Sequence, residues 1–396
     1  MLNHEIGSVI KEYKTPFYIF DTDLLSDQIK KLRTSLGDDV ELCYAMKANP
    51  FVIKELENQV DFFEVCSPGE FHICERAKIN MSKIVMSGVY KNPSDIEYAL
   101  NQYGNTITYT IESYSQWELI KAYSSDHELN IRVLLRLTSG TQFGMDEDIV
   151  RQIIEQRAQH PYITIEGIQF FSGTQKKAPK KHANELMMLD EFCMDLKKQY
   201  DFTVKKLEYG SGLPIYYFEE ETDEEDLILN SLAKQLKNLK FGGQISLELG
   251  RFIAASCGIY VTSIVDMKTN KNQSYCLIDG GIHHMNYFGQ MMAMKKPPIV
   301  HWNEGEGETK EWTVCGSLCS LNDVLVKQYP FVNLQMGDKL IFYKVGAYSV
   351  TEGISLFLSR DLPKVFLYSQ KDKLRMARTN IPTDVLNYFN EEFKGE

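Results

Sequence analysis

The chain has 396 residues, 43% of them hydrophobic and 24% charged, with a formal net charge of −11. That balance is ordinary for a globular protein and argues against a nucleic-acid partner, whose phosphates an acidic surface repels. No apolar run is long enough to cross a bilayer, and the eight cysteines lack the paired spacing of a zinc site, so neither a membrane span nor a metal is expected.

Residues 1–14 read as a short helix without the basic-then-apolar pattern of a secretion signal. Cysteines inside apolar strands, such as Cys43 and Cys276, read as reduced thiols of a cytoplasmic protein. Thr15 to Phe20 alternates aromatic and β-branched residues and predicts a strand. Asp21 and Thr22 offer a cap for a helix running to about Ser35. Apolar strands then recur at Val40–Met46, Asp61–Val65, Lys83–Ser87, Thr106–Ile111, Asn130–Leu137, Ile163–Phe171, Lys205–Tyr209 and Gln244–Leu249, with helical stretches between them. The repeat is roughly 29 residues, the size of a βαβ step. Eight steps with strands apolar on both faces predict a closed parallel (β/α)8 barrel over residues 22–258. After Arg251 the pattern changes to short strands and turns, including Tyr275–Ile278, Trp312–Val314, Lys339–Lys344 and Lys364–Leu367. This predicts a C-terminal antiparallel β domain made of residues 259–396, with residues 1–21 joining it. Asp223 to Asp226 reads as a solvated acidic stretch.

A parallel barrel keeps its active site at the C-terminal ends of its strands. Here those ends carry Lys47, Glu64, Ser87, Glu112, Arg136, Phe171-Ser172-Gly173-Thr174, Glu208-Tyr209-Gly210-Ser211-Gly212 and Glu248-Leu249-Gly250-Arg251. A purely structural barrel has no need to gather charged, hydroxylic and glycine residues at one end. Lys47 stands at the mouth of a buried strand, where desolvation lowers an amine's pKa and favours Schiff-base chemistry. The bland alternative is a lysine that caps a strand in water. The two glycine-containing late loops can present backbone N–H groups to a phosphate. Pyridoxal 5′-phosphate would satisfy the lysine and the loops together. Glu248 could then face the pyridine nitrogen and keep it protonated, the better electron sink; a salt bridge to Arg251 is the alternative.

The ordered set Tyr44-Ala45-Met46-Lys47-Ala48-Asn49-Pro50, Glu64 to Glu70, Gly210-Ser211-Gly212, Glu248 to Arg251, Asp279-Gly280-Gly281, Cys315 to Asp323 and Gly346-Ala347-Tyr348 resembles the diaminopimelate/ornithine decarboxylase family, pyridoxal-phosphate enzymes of the alanine-racemase fold. The resemblance spans Thr15 to Leu367. It implies that Lys47 carries the cofactor and that Glu248 pairs with the pyridine nitrogen. It also implies that Gly210, Ser211, Gly212 and Arg251 surround the phosphate, with Thr174 beside them and Tyr348 closing on it. Cys319 would be the thiol that meets the substrate after CO2 leaves, supplied by a second subunit, so a homodimer with shared sites is implied.

The departures bear on the substrate. Phe171 stands where the family has a stacking histidine, so Phe171 would stack and cannot titrate. Ser320 replaces the acid that recognises a distal amine, and no arginine follows Asp279-Gly280-Gly281 to hold a distal carboxylate. His283, Ser320 and Asp323 are the candidate substrate contacts, and His283 and His284 read equally well as packing residues. This wording is closer to family members that act on conjugated or carrier-linked amino acids, so a decarboxylase of such a substrate is expected. Diaminopimelate decarboxylase, an amino-acid racemase and a non-catalytic regulatory relative are the alternatives. The Glu248 carboxylate argues against a racemase, and the presence of both Lys47 and the glycine loops argues against a regulatory protein.

Overall fold

The structure, a computed structural model, describes residues 4–302 and 304–388. The chain divides into two compact units, residues 26–215 with 224–253, and residues 1–25 with 216–223 and 254–396. In chain order it opens with helix α1 (His4–Glu12), strand β1 (Phe17–Asp21) and helix α2 (Thr22–Leu36).

The first unit contains a closed barrel of eight strands, all paired in parallel. They are β2 (Val40–Ala45), β3 (Phe62–Val65), β4 (Ile84–Met86), β5 (Thr108–Ile111), β6 (Ile131–Leu137), β7 (Ile163–Phe171), β8 (Lys206–Gly210) and β9 (Gln244–Leu249). The apolar runs are buried because the barrel interior covers one face of each strand and the helices cover the other. The turn from strand end to helix uses a repeated device. Ser67, Asn92 and Ser113 each cap a helix, accepting the backbone N–H of Glu70, Ser94 and Gln116. A one-residue difference from the expected strand matters at the site: β2 stops at Ala45, and Met46–Ala48 forms a 3-10 turn. Lys47 therefore projects from a turn and not from the strand itself.

The second unit is built on a nine-stranded sheet. Its other strands are β10 (Gly258–Asn270), β11 (Gln273–Ile278), β12 (Ile299–Trp302), β13 (Thr309–Cys315), β14 (Val324–Val332), β15 (Lys339–Tyr343), β16 (Lys364–Ser369) and β17 (Lys373–Arg378). Most pairs are antiparallel, but β1 runs parallel to β16 and β11 runs parallel to β13. β1 also pairs with β10, so residues from both ends of the chain share one sheet. Ile6, Ile10, Phe17, Ile19, Ile259, Val261, Ile341 and Phe366 form its core. Residues 216–223, which the sequence reading kept with the barrel, cluster with this sheet. The rings of Tyr217 and Phe218 lie 5.5 and 6.2 Å from Tyr287, and Glu219 accepts a 2.6 Å hydrogen bond from the Tyr329 hydroxyl.

Candidate active site

The mouth of the barrel concentrates charge in a dry setting. Lys47 Nζ lies 2.6 Å from Glu64 Oε2, 3.6 Å from Glu248 Oε1 and 3.5 Å from Cys66 Sγ. Glu64, Glu208 and Glu248 are all buried. Gln169, pointing inward from β7, donates through Nε2 to Glu208 Oε1 at 2.9 Å and to Glu248 Oε2 at 3.3 Å. Arg136 and Glu112, both buried, form a 2.9 Å ion pair at neighbouring strand ends.

The carboxylates do not share one protonation state. Burial pushes all of them up, but the Lys47 ammonium overcomes it at Glu64 and holds that group below the usual range. Glu248 is pushed up by burial and then by the Glu64 charge, which outweigh the more distant lysine. Glu208 rises to about 7, again chiefly through burial. A buried carboxyl with its pKa raised beside Lys47 is one that a positive partner would stabilise.

Glu208 gives a test of this electrostatic picture. Its folded value of about 7 lies above its ordinary value of 4.5. Its contribution to stability is therefore complete at low pH and is lost as pH rises through that window, by up to about 3 kcal/mol. Glu208→Gln should remove this slope, measured by urea unfolding at about pH 5 and about pH 8. Equal slopes in wild type and variant would place the titration elsewhere.

On the opposite side of the mouth the late loops make a cradle. Gly212 has φ +59°, and a Cβ there would lie 2.2 Å from Gly173 O. At Gly210 a Cβ would lie 2.4 Å from the Phe171 ring, so this glycine seats the phenylalanine. The buried Ser211 Oγ has no partner among the described residues. Lys176, almost fully buried, lies behind the loop and donates to Glu185 at 2.7 Å and to Gly210 O at 3.3 Å. Glu185 also accepts from Ser172 Oγ at 2.5 Å and Tyr209 OH at 2.6 Å, and His182 Nε2 lies 2.8 Å from Ser211 O. Thr174 and Phe171 are half-buried on the same rim, and Arg251 is buried at the start of the helix after β9.

The sequence of residues 22–255 matches the family model for the pyridoxal-binding domain of pyridoxal-dependent decarboxylases. The chain belongs to this family. It is 23% identical over 386 residues to L-glutamyl-[BtrI acyl-carrier protein] decarboxylase of Niallia circulans, covering 91% of this chain and 90% of that one. It is 27% identical over 412 residues to diaminopimelate decarboxylase of Helicobacter pylori strain J99, covering 96% and 95% of the two chains. The solved structure of diaminopimelate decarboxylase from M. jannaschii shares the fold, with a TM-score of 0.86, 20% identity and coverage of 98% and 95%.

The protein is therefore a pyridoxal-phosphate-dependent amino-acid decarboxylase, and its barrel mouth fits that cofactor. The glycine cradle leaves no room for side chains, and Ser211 Oγ is a buried hydroxyl in want of a partner. Lys176 sits behind the cradle as a buried cation, which favours a phosphate there. The raised Glu248 carboxyl suits a ring nitrogen that carries a proton. Sequence reading singled out Lys47, Glu248 and the glycine loops. It missed the roles of Gln169, Lys176, His182 and Glu185. Gln169 alone left a signal, a polar residue within the otherwise apolar stretch Ile168–Phe171 at the end of β7.

The remaining candidates belong to the β domain. Cys319 is exposed on the loop between β13 and β14. Asp323, a candidate substrate contact from sequence, holds backbone with its carboxylate. Its Oδ1 accepts the Ile282 N–H at 2.9 Å and its Oδ2 the Leu318 N–H at 2.7 Å. Gly281 and Gly316 pack so closely on that carboxylate that any Cβ would collide with it. Asp323 thus clamps the loop that displays Cys319 and Ser320. Ser320 Oγ accepts the Asn322 N–H at 3.2 Å within the same loop. Asp279 is likewise structural, taking the hydroxyls of Thr15 and Thr262, each at 2.6 Å. Tyr348 is half-buried with φ +68°, a conformation that costs energy in a non-glycine residue and so marks a constrained turn. His283 and His284 are buried, not surface groups.

Proposed function

We propose that this decarboxylase removes the α-carboxylate of an amino acid whose far end is conjugated or held on a carrier protein. The observation that carries the proposal is the loop around Cys319. Ser320 stands where the family resemblance leads one to expect an acid, and the nearby Asp323 carboxylate is engaged by two backbone amides. No arginine follows Asp279-Gly280-Gly281. An unpaired charge costs several kcal/mol, roughly, when it leaves water, so a free distal ammonium and carboxylate are poorly served here. The Niallia relative acts, by its name, on a glutamyl group held on a carrier protein.

The site residues take the roles that the family resemblance implies. Lys47 would hold the cofactor covalently through Nζ, and Glu64 would orient that amine. The Gly210-Ser211-Gly212 loop, Thr174 and Arg251 would bind the phosphate and Phe171 would stack on the ring, while the resemblance gives Tyr348 a role at the phosphate. Glu248 would hold a proton at the ring nitrogen. Pyridoxal phosphate would supply the electron sink for loss of the α-carboxylate. Cys319 of a second copy returns a proton to Cα from its Sγ. The enzyme works as a cytoplasmic homodimer in amino-acid or secondary metabolism.

Diaminopimelate decarboxylation is the rival reading, favoured by the similarity to the Helicobacter enzyme. Steady-state CO2 release separates the two. A glutamyl-carrier conjugate should be turned over well, and meso-diaminopimelate poorly. A kcat/KM for meso-diaminopimelate of ~10⁴ M⁻¹s⁻¹ or more, the range of a native substrate, would sink the proposal.

A further inference from the structure

We propose that the β domain carries a separate binding site for a multiply charged oxyanion, formed by His283 and His284 beneath a rim of Lys14, Arg360 and Lys364. These residues line one cavity of about 680 Å³. Its floor is a pair of imidazoles with ring centroids 3.7 Å apart. His283 is 2% exposed, and neither of its ring nitrogens has a partner among the described residues. His284 is engaged more fully, with Nδ1 2.9 Å from Tyr260 OH and a hydrogen bond to the Asp361 backbone.

A buried ring N–H without an acceptor is costly, and native structures rarely leave one. Water could fill part of the space, but the charge around it points to an anion. Lys14, Arg360 and Lys364 form no ion pair with any described carboxylate; Arg360 is instead hydrogen-bonded to Ser317 O at 2.8 Å. Asp279 lines the cavity, but its oxygens are already taken by Thr15, Thr262 and the Ser263 amide. Asp361 is the one other acid in the lining and is exposed. Burial, with the Arg360 charge beside it, depresses His283 to about 4, so the floor offers neutral N–H donors while the rim supplies the positive charge.

Phosphate groups and clustered carboxylates share the chemistry this cavity recognises: several oxygens, more than one negative charge and no apolar bulk. The volume exceeds that of a single phosphate and leaves room for a phosphomonoester or a tricarboxylate. All of the lining residues belong to the β domain, and Arg360 joins the cavity to the Cys319 loop through Ser317 O.

Calorimetric titration of the cofactor-loaded enzyme at low salt tests the proposal, with inorganic phosphate in one arm and citrate in the other. The cofactor's own phosphate cradle is then filled and does not compete. At least one ligand should bind with a Kd below about 1 mM, and added salt should weaken it as the rim is screened. Arg360→Gln and Lys364→Gln should each weaken that binding about fivefold or more, as loss of a charged contact does. Nitrogen signals of the His283 ring should shift on addition of the ligand and should be missing from His283→Asn. Binding of phosphate alone identifies a phosphoryl ligand, and binding of citrate alone a polycarboxylate. If neither binds below about 10 mM, or if both rim variants bind like wild type, the proposal is overturned. Because the readout is binding and not CO2 release, its failure is distinct from a failure of the proposed substrate.

Discussion

Lys47→Ala protein should decarboxylate its amino-acid substrate at no more than about 10⁻⁴ of the wild-type rate, since on the proposed assignment the substitution removes the covalent anchor of the cofactor. The residue projects from the 3-10 turn at the end of β2 into a cluster where Glu64 lies 2.6 Å away and Glu248 3.6 Å away. No shorter side chain reaches that point. Borohydride treatment of wild-type holoenzyme should fix pyridoxal to the peptide that contains Lys47, and the variant should release its cofactor on dialysis. The variant also leaves Glu64 without its cation, so that buried carboxyl should take up a proton and its pKa should rise above the ordinary range. Reduction of an equal amount of cofactor onto another lysine would refute the assignment, as would activity above roughly a hundredth of wild type.

Cys319→Ala should also be nearly inactive, yet a mixture of the two inactive variants should recover activity. Cys319 is exposed on a loop of the β domain that Asp323 holds in place through two backbone amides. An exposed thiol on a clamped loop suits delivery to a neighbouring copy. In an equal mixture half of the dimers are mixed, and one of the two sites in each has both Lys47 and Cys319. Recovery should therefore approach about a quarter of wild-type activity if sites are shared across a two-fold axis. No recovery after subunit exchange, or full activity in a monomer at assay concentration, would show that each chain completes its own site. Asp323→Asn offers a graded version. The loop should loosen, lowering kcat more than it raises KM, because Cys319 is displaced while Lys47 and its neighbours are untouched.

The barrel was legible because its strands are buried on both faces. Continuous apolar runs such as Val133–Leu135 in β6 and Ile84–Met86 in β4 need no partner to be recognised. The β domain was less so. β14 contains Lys327, Gln328 and Pro330, which interrupt its apolar pattern, and β17 alternates only over Lys373–Met376 and is mostly exposed. Their place comes from pairing with β13 and β16.

At the site, the sequence by itself determined which chemistry-bearing residues end the barrel strands. Lys47, Glu64, Gly210, Ser211 and Glu248 were all visible there, because parallel strands deliver their last residues to one rim. Only the tertiary structure decided how those groups divide charge. Glu64 and Glu248 look alike in sequence, yet a 2.6 Å contact with Lys47 lowers the pKa of one, while burial and the Glu64 charge raise that of the other. It also decided that Asp323 holds a loop, that Lys176 and Glu185 support the glycine cradle, and that β1 lies between β10 and β16. These outcomes depend on distances between residues far apart in the chain. Electrostatic and hydrogen-bond energies follow those distances, which local composition does not encode.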